Sequence, residues 1–239
     1  MDAEMSLSWR AHFFIVILMT TQIQTAQTAP PRKAAREVRR AQLIEGTIAA
    51  LARKGFAALT VADVAKEVGL SPGIVIFHFT TKGELLAAVL SFLATEYHQH
   101  WKSSVQEAGA SAAERMKALL LADFDQNVFT PERLAAWIAF WGEAQGRPVY
   151  DQLYATLDAE RRLASEALCR ELVAEGGYDL DPYLAMCTLE ALGDGLWLGL
   201  ATQSSRREGA AEGDCCVDAR KVIITALAAL FPRHFPSGA

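Results

Sequence analysis

From Arg36 to the residues just before Pro232, apolar side chains recur three and four positions apart, and no stretch sustains an alternation of period two. That spacing lines one face of a helix rather than of a strand, so the expected class is all-α. Capping residues and prolines divide the pattern into nine helices. The first, about Arg36 to Lys54, buries Leu43, Ile44, Ile48 and Leu51 and stops at Gly55, a residue suited to a left-handed C-cap. Thr60 with Asp63 opens a short second helix as a capping box, each side chain satisfying the other's backbone donor, and Gly69 ends it. Ser71 caps the third, with Pro72 at the first helical position, where a missing N–H costs nothing. Thr81 with Glu84 repeats the box before a long helix from Lys82 to about Gln106. Later starts fall at Ser111 with Glu114, at Thr130 with Pro131, at Pro148, and at Asp181 with Pro182; the ninth helix follows the polar, Gly-containing stretch 204–214.

The last two helices are apolar beyond one stripe. "DARKVIITALAALF" is hydrophobic around most of its circumference; before it, Leu189, Leu192, Leu196 and Leu200 form a stripe, with Gly195 and Gly199 permitting close helix approach. A helix apolar all round has to be covered on two sides, by its own domain and by another chain. Residues of about 182–203 and 215–231 are therefore the expected homodimer interface, a four-helix bundle built from two copies.

With 239 residues, 51% of them hydrophobic and 21% charged, the chain can bury a substantial core. Its net charge of −5 is unevenly spread. Residues 32–82 carry nine Lys/Arg against four Asp/Glu, a net of +5, whereas residues 83–239 carry −9 and residues 1–31 carry −1. A basic module on an acidic body suggests that only the first part meets a polyanion. The expected division is an N-terminal extension (1–31), a DNA-binding domain (32–82) and a ligand-binding and dimerisation domain (83–239). "RAHFFIVILM" resembles a signal-peptide core, but Gln24 and Gln27 stand where an A-x-A cleavage pattern ending at Ala26 or Ala29 needs a small residue. The extension is thus expected to be disordered or to follow a misassigned start; a secreted or membrane-associated helical protein is the alternative that these residues leave open. The cysteines Cys169, Cys187, Cys215 and Cys216 have no zinc-like spacing, so no metal or cofactor is expected, the reducing cytoplasm is the simplest home, and the thiols are inert filler unless the vicinal pair Cys215 and Cys216 is a redox switch. His98 and His100, two apart, lie on different helix faces, and no nucleophile stands with a base partner, so the chain is not expected to be an enzyme.

Residues 60–79 are two short helices joined by a Gly-containing turn, the arrangement that places its second helix in the major groove of DNA. Val61, Val64, Ala65, Leu70, Val75 and Phe79 form the wedge between the helices. Arg32, Lys33, Arg36, Arg39 and Arg40, with Lys82, can lie along phosphates, so binding weakens steeply with salt. Backbone N–H groups at the starts capped by Thr60, Ser71 and Thr81 add donors for anions. Ile76 and Phe77 can meet a thymine methyl. His78 either packs at the helix end or touches a phosphate.

"TVADVAKEVGLSPGIVIFHFTTKGELL" resembles the DNA-binding signature of the TetR family of transcriptional regulators, in which Thr-Val, Ala, Gly-x-Ser-x-Gly (here Gly69, Ser71 and Gly73 around Pro72), His-Phe and Lys fall at these spacings. With the nine-helix layout, the resemblance covers residues of about 36 to 231. It implies a two-fold dimer reading a palindromic duplex with half-sites about 34–36 Å apart, or a multiple of that. One residue departs from the family: Ile76 stands where a Tyr usually reaches a phosphate.

In the acidic body, "LADFDQNV" and "AAWIAFWGEA" bring Trp137 and Trp141 to one helix face, with Phe140 beside them and Trp197 from another helix. Core packing is one reading. The other notes Asp123, Asp125, Glu143, Glu190 and Asp194 among the aromatics, a combination suited to a quaternary ammonium, which is held by cation–π attraction of ~0.5–2 kcal/mol per ring. The pair Phe124 and Asp125, followed by "AWIAFW" and "LEALGDGLWL", resembles the choline-responsive repressors of glycine betaine synthesis within the TetR family. The resemblance implies choline as inducer. A TetR-type regulator of an efflux or catabolic operon, sensing another cationic or lipophilic molecule, stands as the alternative.

Overall fold

Caps set most of the helix starts in the computed structural model, which describes residues 32–144, 148–203 and 212–236. The expectations for residues 1–31, for the stretch 204–211 and for the Cys215 and Cys216 side chains lie outside what it describes. Among the described residues there are nine helices and no strand: α1 (Arg32–Ala58), α2 (Val61–Glu67), α3 (Pro72–His78), α4 (Lys82–Glu107), α5 (Ala112–Ala122), α6 (Pro131–Ala144), α7 (Pro148–Gly176), α8 (Pro182–Gln203) and α9 (Glu212–Leu230). The chain divides into two units, Met1–Arg39 and Arg40–Ala239. Of the first, the described part is the opening of α1, exposed from Lys33 to Val38.

Thr60 and Asp63 close the expected box, as do Ser111 and Glu114. Hydrogen bonds from Lys54 and Thr60 hold the Asp63 carboxyl down at about 2, so this cap stays ionised. Thr81 Oγ1 accepts from Glu84 N at 3.0 Å, but the Glu84 carboxylate reaches one residue further, to Thr80 N at 2.9 Å, so the third box is open. Asp181 caps α8 by accepting from Tyr183 N and Leu184 N. Ser71 has the extended backbone of an N-cap, yet its hydroxyl makes no capping bond. Gly55 is left-handed (φ 73°), as its place at the end of a helix implied, but α1 resumes for one further turn beyond it. That turn is retained because Phe56 is drawn into the core, edge-on to Phe140 at 5.8 Å.

Two apolar cores form. The first joins α1, α2, α3 and the first half of α4 to Leu134, Ala136, Trp137 and Phe140 of α6 and Trp197 of α8. The second gathers the end of α4 with α5, α7, α8 and α9 around Met116, Leu119, Leu172, Leu189, Ile223 and Leu227. The spine α4 thus serves both, packing on α5, α6 and α7.

The leucine stripe of α8 is the side that the chain's own domain covers. Leu189 is fully buried, and Leu192, Leu196 and Leu200 pack against the chain's own core. The outward face of α8 carries Leu184, Ala191, Gly195 and Leu198, seven, four and three residues apart, and on α9 Val222 and Ile224 are exposed. Among the described residues no single helix is long and apolar enough to cross a membrane.

Candidate functional site

The turn between α2 and α3 depends on Gly69, whose φ of 67° suits glycine, and on Leu70 N donating to Ala65 O at 2.8 Å. Val64, Ala65, Val75 and Phe79 are buried between the helices, with Val61 and Leu70 packed on them, as the wedge requires. The outward side of α3 therefore presents Ser71, Pro72, Gly73, Ile74, Ile76 and Phe77. His78 points the other way and is only 8% exposed, packed at the end of the helix. Its carbonyl accepts from Arg40 Nη1 at 2.6 Å, and the same guanidinium lies 4.1 Å from the centre of the Phe79 ring, so Arg40 clamps the end of α3. Lys82 Nζ reaches Phe56 O at 3.2 Å, and the Thr60 hydroxyl engages Asp63. Of the remaining cations expected at phosphates, Arg36 is exposed and Arg39 half-buried in the opening of α1.

A cavity of about 200 Å³ opens in the body. Among the described residues, five aromatics line it: Tyr97, Phe129, Trp137, Trp141 and Trp197. Trp197 is the hinge of the cage, 4.8 Å from Trp141 and edge-on to Phe129 at 5.9 Å between ring centres. Tyr97 stands edge-on to both Phe129 and Trp137. Asp123, Glu190 and Asp194 also face the cavity, against Arg161 and Arg162, so the formal charge of the described lining is three negative against two positive.

The sequence reading placed Asp123, Trp137, Trp141, Asp194 and Trp197 here, and the structure brings these together. Its other candidates go elsewhere. Phe124 packs in the second core; Asp125 accepts from Asn127 N at 2.9 Å and lies 3.5 Å from His100; Phe140 meets Phe56; Glu143 is half-buried near the end of α6. The reading missed Tyr97, Phe129 and Arg162 and, above all, Arg161. It is 4% exposed, donates to Asp123 Oδ2 at 2.6 Å and also bonds Glu190, while the Tyr97 hydroxyl donates to Asp123 Oδ1 at 2.8 Å. Burial works against charge on Arg161, but Asp123, Tyr97 and Glu190 outweigh it and hold the guanidinium above its usual pKa. Burial raises the Asp123 carboxyl, with Arg161 and the Tyr97 hydrogen bond opposing, and raises Tyr97 well above the ordinary phenol. In the sequence Arg161 sits in "AERRLASEAL", where charges read as a solvated face. Three polar atoms at the cavity residues, Trp141 Nε1, Arg161 Nε and Glu190 Oε1, are buried with no hydrogen-bond partner among the described residues.

α6 carries Trp137 and Trp141 and is tied to the helix-turn-helix side. Arg133 makes a forked pair with Glu96 of α4 (2.7 and 3.0 Å) and reaches Glu45 of α1 at 2.9 Å. Below the cavity, burial, reinforced by Glu190 and Glu166, pushes the Cys169 thiol up to about 12. Iodoacetamide at pH 8 is expected to leave Cys169 unlabelled in the folded protein and to label it in urea; peptide mapping checks this.

A helix-turn-helix joined to a helical body that holds a ligand-sized hollow is the architecture of a DNA-binding transcriptional regulator. Residues 43–89 match the bacterial regulatory proteins of the tetR family, and residues 112–219 match the C-terminal domain of BetI-type transcriptional repressors. The HTH-type transcriptional regulator BetI of Serratia proteamaculans is 31% identical over 176 residues, covering 73% of this chain and 87% of the relative. A transcriptional regulator of Pseudomonas aeruginosa PAO1 superposes with a TM-score of 0.64 at 29% identity, over 83% of this chain and 94% of that one. A regulator from Saccharomonospora viridis, solved in complex with choline, shares the fold at a TM-score of 0.66 and 21% identity, over 78% of this chain and 96% of its own. The chain belongs to the TetR family, with a C-terminal domain of the BetI repressor type, and is a regulator rather than an enzyme.

Proposed function

We propose that the protein represses glycine betaine synthesis genes from a palindromic operator and releases it when a small quaternary amine, choline, enters the aromatic cavity. The observation that carries this reading is that, among the described residues, the lining is a cage of five rings with a formal charge of −1, which suits a monocation. Trp141 Nε1 and Arg161 Nε are donors and Glu190 Oε1 an acceptor, which covers both needs of a hydroxyl. A hollow of about 200 Å³ favours choline over the drug-sized substrates of an exporter, which occupy pockets of roughly 300–1,000 Å³. The saturated alcohol-amine also accords with the choline bound by the S. viridis regulator of the same fold.

In this reading residues 32–82 bind DNA, residues 83–239 bind ligand and pair the subunits, and the protein works in the cytoplasm, where its operator is. Two copies meet through the outward faces of α8 and α9, where Leu184, Ala191, Gly195, Leu198 and Val222 are uncovered in the single chain. Ligand acts by shifting a population. The wall helix α6 touches α1 through Arg133 with Glu45 and through Phe140 with Phe56, so a change in α6 on filling the cavity is felt at the head. A 100-fold loss of operator affinity requires a coupling of about 2.7 kcal/mol, within the usual allosteric range.

The test is a mobility-shift titration of the full-length protein on its upstream intergenic duplex, with calorimetry alongside. Choline is expected to bind and to release the duplex. Release by a drug-sized cationic dye, with no heat and no release from choline, overturns the choline reading in favour of an efflux regulator.

A further inference from the structure

The outward side of α3 has an unusual chemistry for a helix that reads DNA. From Val68 to Thr81 the chain contains no Lys, Arg, Asp or Glu, and no Asn or Gln. The base-reading pairs that discriminate by hydrogen bonds use those side chains: Arg or Lys on guanine, Asn or Gln on adenine, Asp or Glu on cytosine. On α3 none is available. Its one polar side chain is His78, which is buried, and its N-cap is Ser71, whose hydroxyl does not discriminate between bases.

What α3 presents instead is apolar. Ile76 is 54% and Phe77 74% exposed, although both are large hydrophobic side chains on a helix of seven residues. With Gly73 they occupy positions i, i+3 and i+4, one face of the helix, and beyond Gly73 the space is open apart from the Ser71 hydroxyl. A backbone bare at Gly73 can approach the base edges closely while Ile76 and Phe77 project into the groove. Only one feature of the major groove is apolar and base-specific: the C5-methyl group of thymine. Cytosine methylated at C5 displays the same group in the same place.

We propose that α3 recognises its operator through thymine C5-methyl groups packed against Ile76 and Phe77, so that 5-methylcytosine substitutes for thymine at those positions. The proposal rests on the operator-binding reading and adds to it the chemistry by which sequence is chosen. Phosphate contacts from the basic module supply affinity without sequence information; the methyl contacts supply the sequence. One consequence is that cytosine-5 methylation of a suitable duplex creates affinity for this regulator.

The experiment uses the full-length protein and a random duplex pool, from which the preferred sequence is selected. Each thymine of that duplex is then replaced, symmetrically in both half-sites, by 2′-deoxyuridine, which keeps every hydrogen-bonding edge and removes only the methyl. At the contacted positions affinity is expected to fall about fourfold per methyl, hence about sixteenfold for the symmetric pair. Cytosine paired with guanine at the same positions binds weakly, and 5-methylcytosine restores most of the loss. Ile76→Ala and Phe77→Ala, both at exposed positions, each erase the thymine–uracil difference at one position while non-specific binding and its salt dependence persist. Equal affinity for the thymine and uracil duplexes at every position overturns the proposal and leaves operator binding standing. A protein that selects no duplex overturns operator binding and this proposal with it.

Discussion

Replacing Arg161 by methionine is expected to destabilise the folded chain by about 3–5 kcal/mol, because it leaves Asp123 and Glu190 buried without their counter-charge. Methionine keeps most of the apolar volume, so the loss reports the charges rather than a hole. Denaturant unfolding of the full chain is the measurement. Adding Asp123→Asn and Glu190→Gln to the same variant removes the stranded charges, and a large part of the lost stability returns, since a buried ion triad as a whole is worth far less than the damage done by breaking it. If Arg161→Met alone unfolds no more easily than the parent chain, the buried triad is not the electrostatic centre of the body. The Arg161 substitution takes the formal charge of the described lining from −1 to −2 and the triple variant takes it to 0, so these variants are compared for stability and not for cation binding.

The second large effect concerns the cage. Trp141→Leu combined with Trp197→Leu keeps apolar bulk at two lining positions and removes both indole faces. At ~0.5–2 kcal/mol per ring, the pair removes about 1–4 kcal/mol of choline binding, enough to abolish release of the operator while DNA binding by the unliganded protein persists. The control is 3,3-dimethylbutan-1-ol, which has choline's shape with a neutral carbon in place of the ammonium. The parent protein is expected to prefer choline to this alcohol, and the double variant to lose that preference. A double variant that keeps it places the cation elsewhere.

The reasons why some of this was legible beforehand are physical. Caps are local: Thr60 with Asp63, Ser111 with Glu114, and Pro72, Pro131, Pro148 and Pro182 at helix starts involve residues within a turn of one another, so spacing alone locates them. Gly55 breaks the helix where its position implied, and the short turn after it carries Phe56 to Phe140, eighty-odd residues away in the chain, a contact no local pattern shows.

The α8 stripe marks the limit of periodicity. A 3.6-residue repeat says that a face is apolar, not what it faces, and on a helix apolar on more than one side the two answers are interchangeable. Leu189, Leu192, Leu196 and Leu200 cover the chain's own core, and periodicity did not say which of the two sides of α8 that would be. Arg161 marks the same limit for charge. Its partners Asp123 and Glu190 are 38 and 29 residues away, and nothing near it in the sequence separates a buried guanidinium from a solvated one.

By itself, then, the amino-acid order determined the helical class, the positions of the caps, the basic head with its apolar reading helix, and the aromatic stock of the cavity, because each depends on side-chain type and short-range spacing. Only the tertiary structure decided that Arg161 neutralises two of the expected carboxylates, that Tyr97 and Phe129 complete the cage, that His78 turns inward, and which face of α8 stays uncovered. Those outcomes depend on which surfaces are driven together when α4, α6, α7 and α8 pack, and the free energy of that packing is not written in any short segment of the chain.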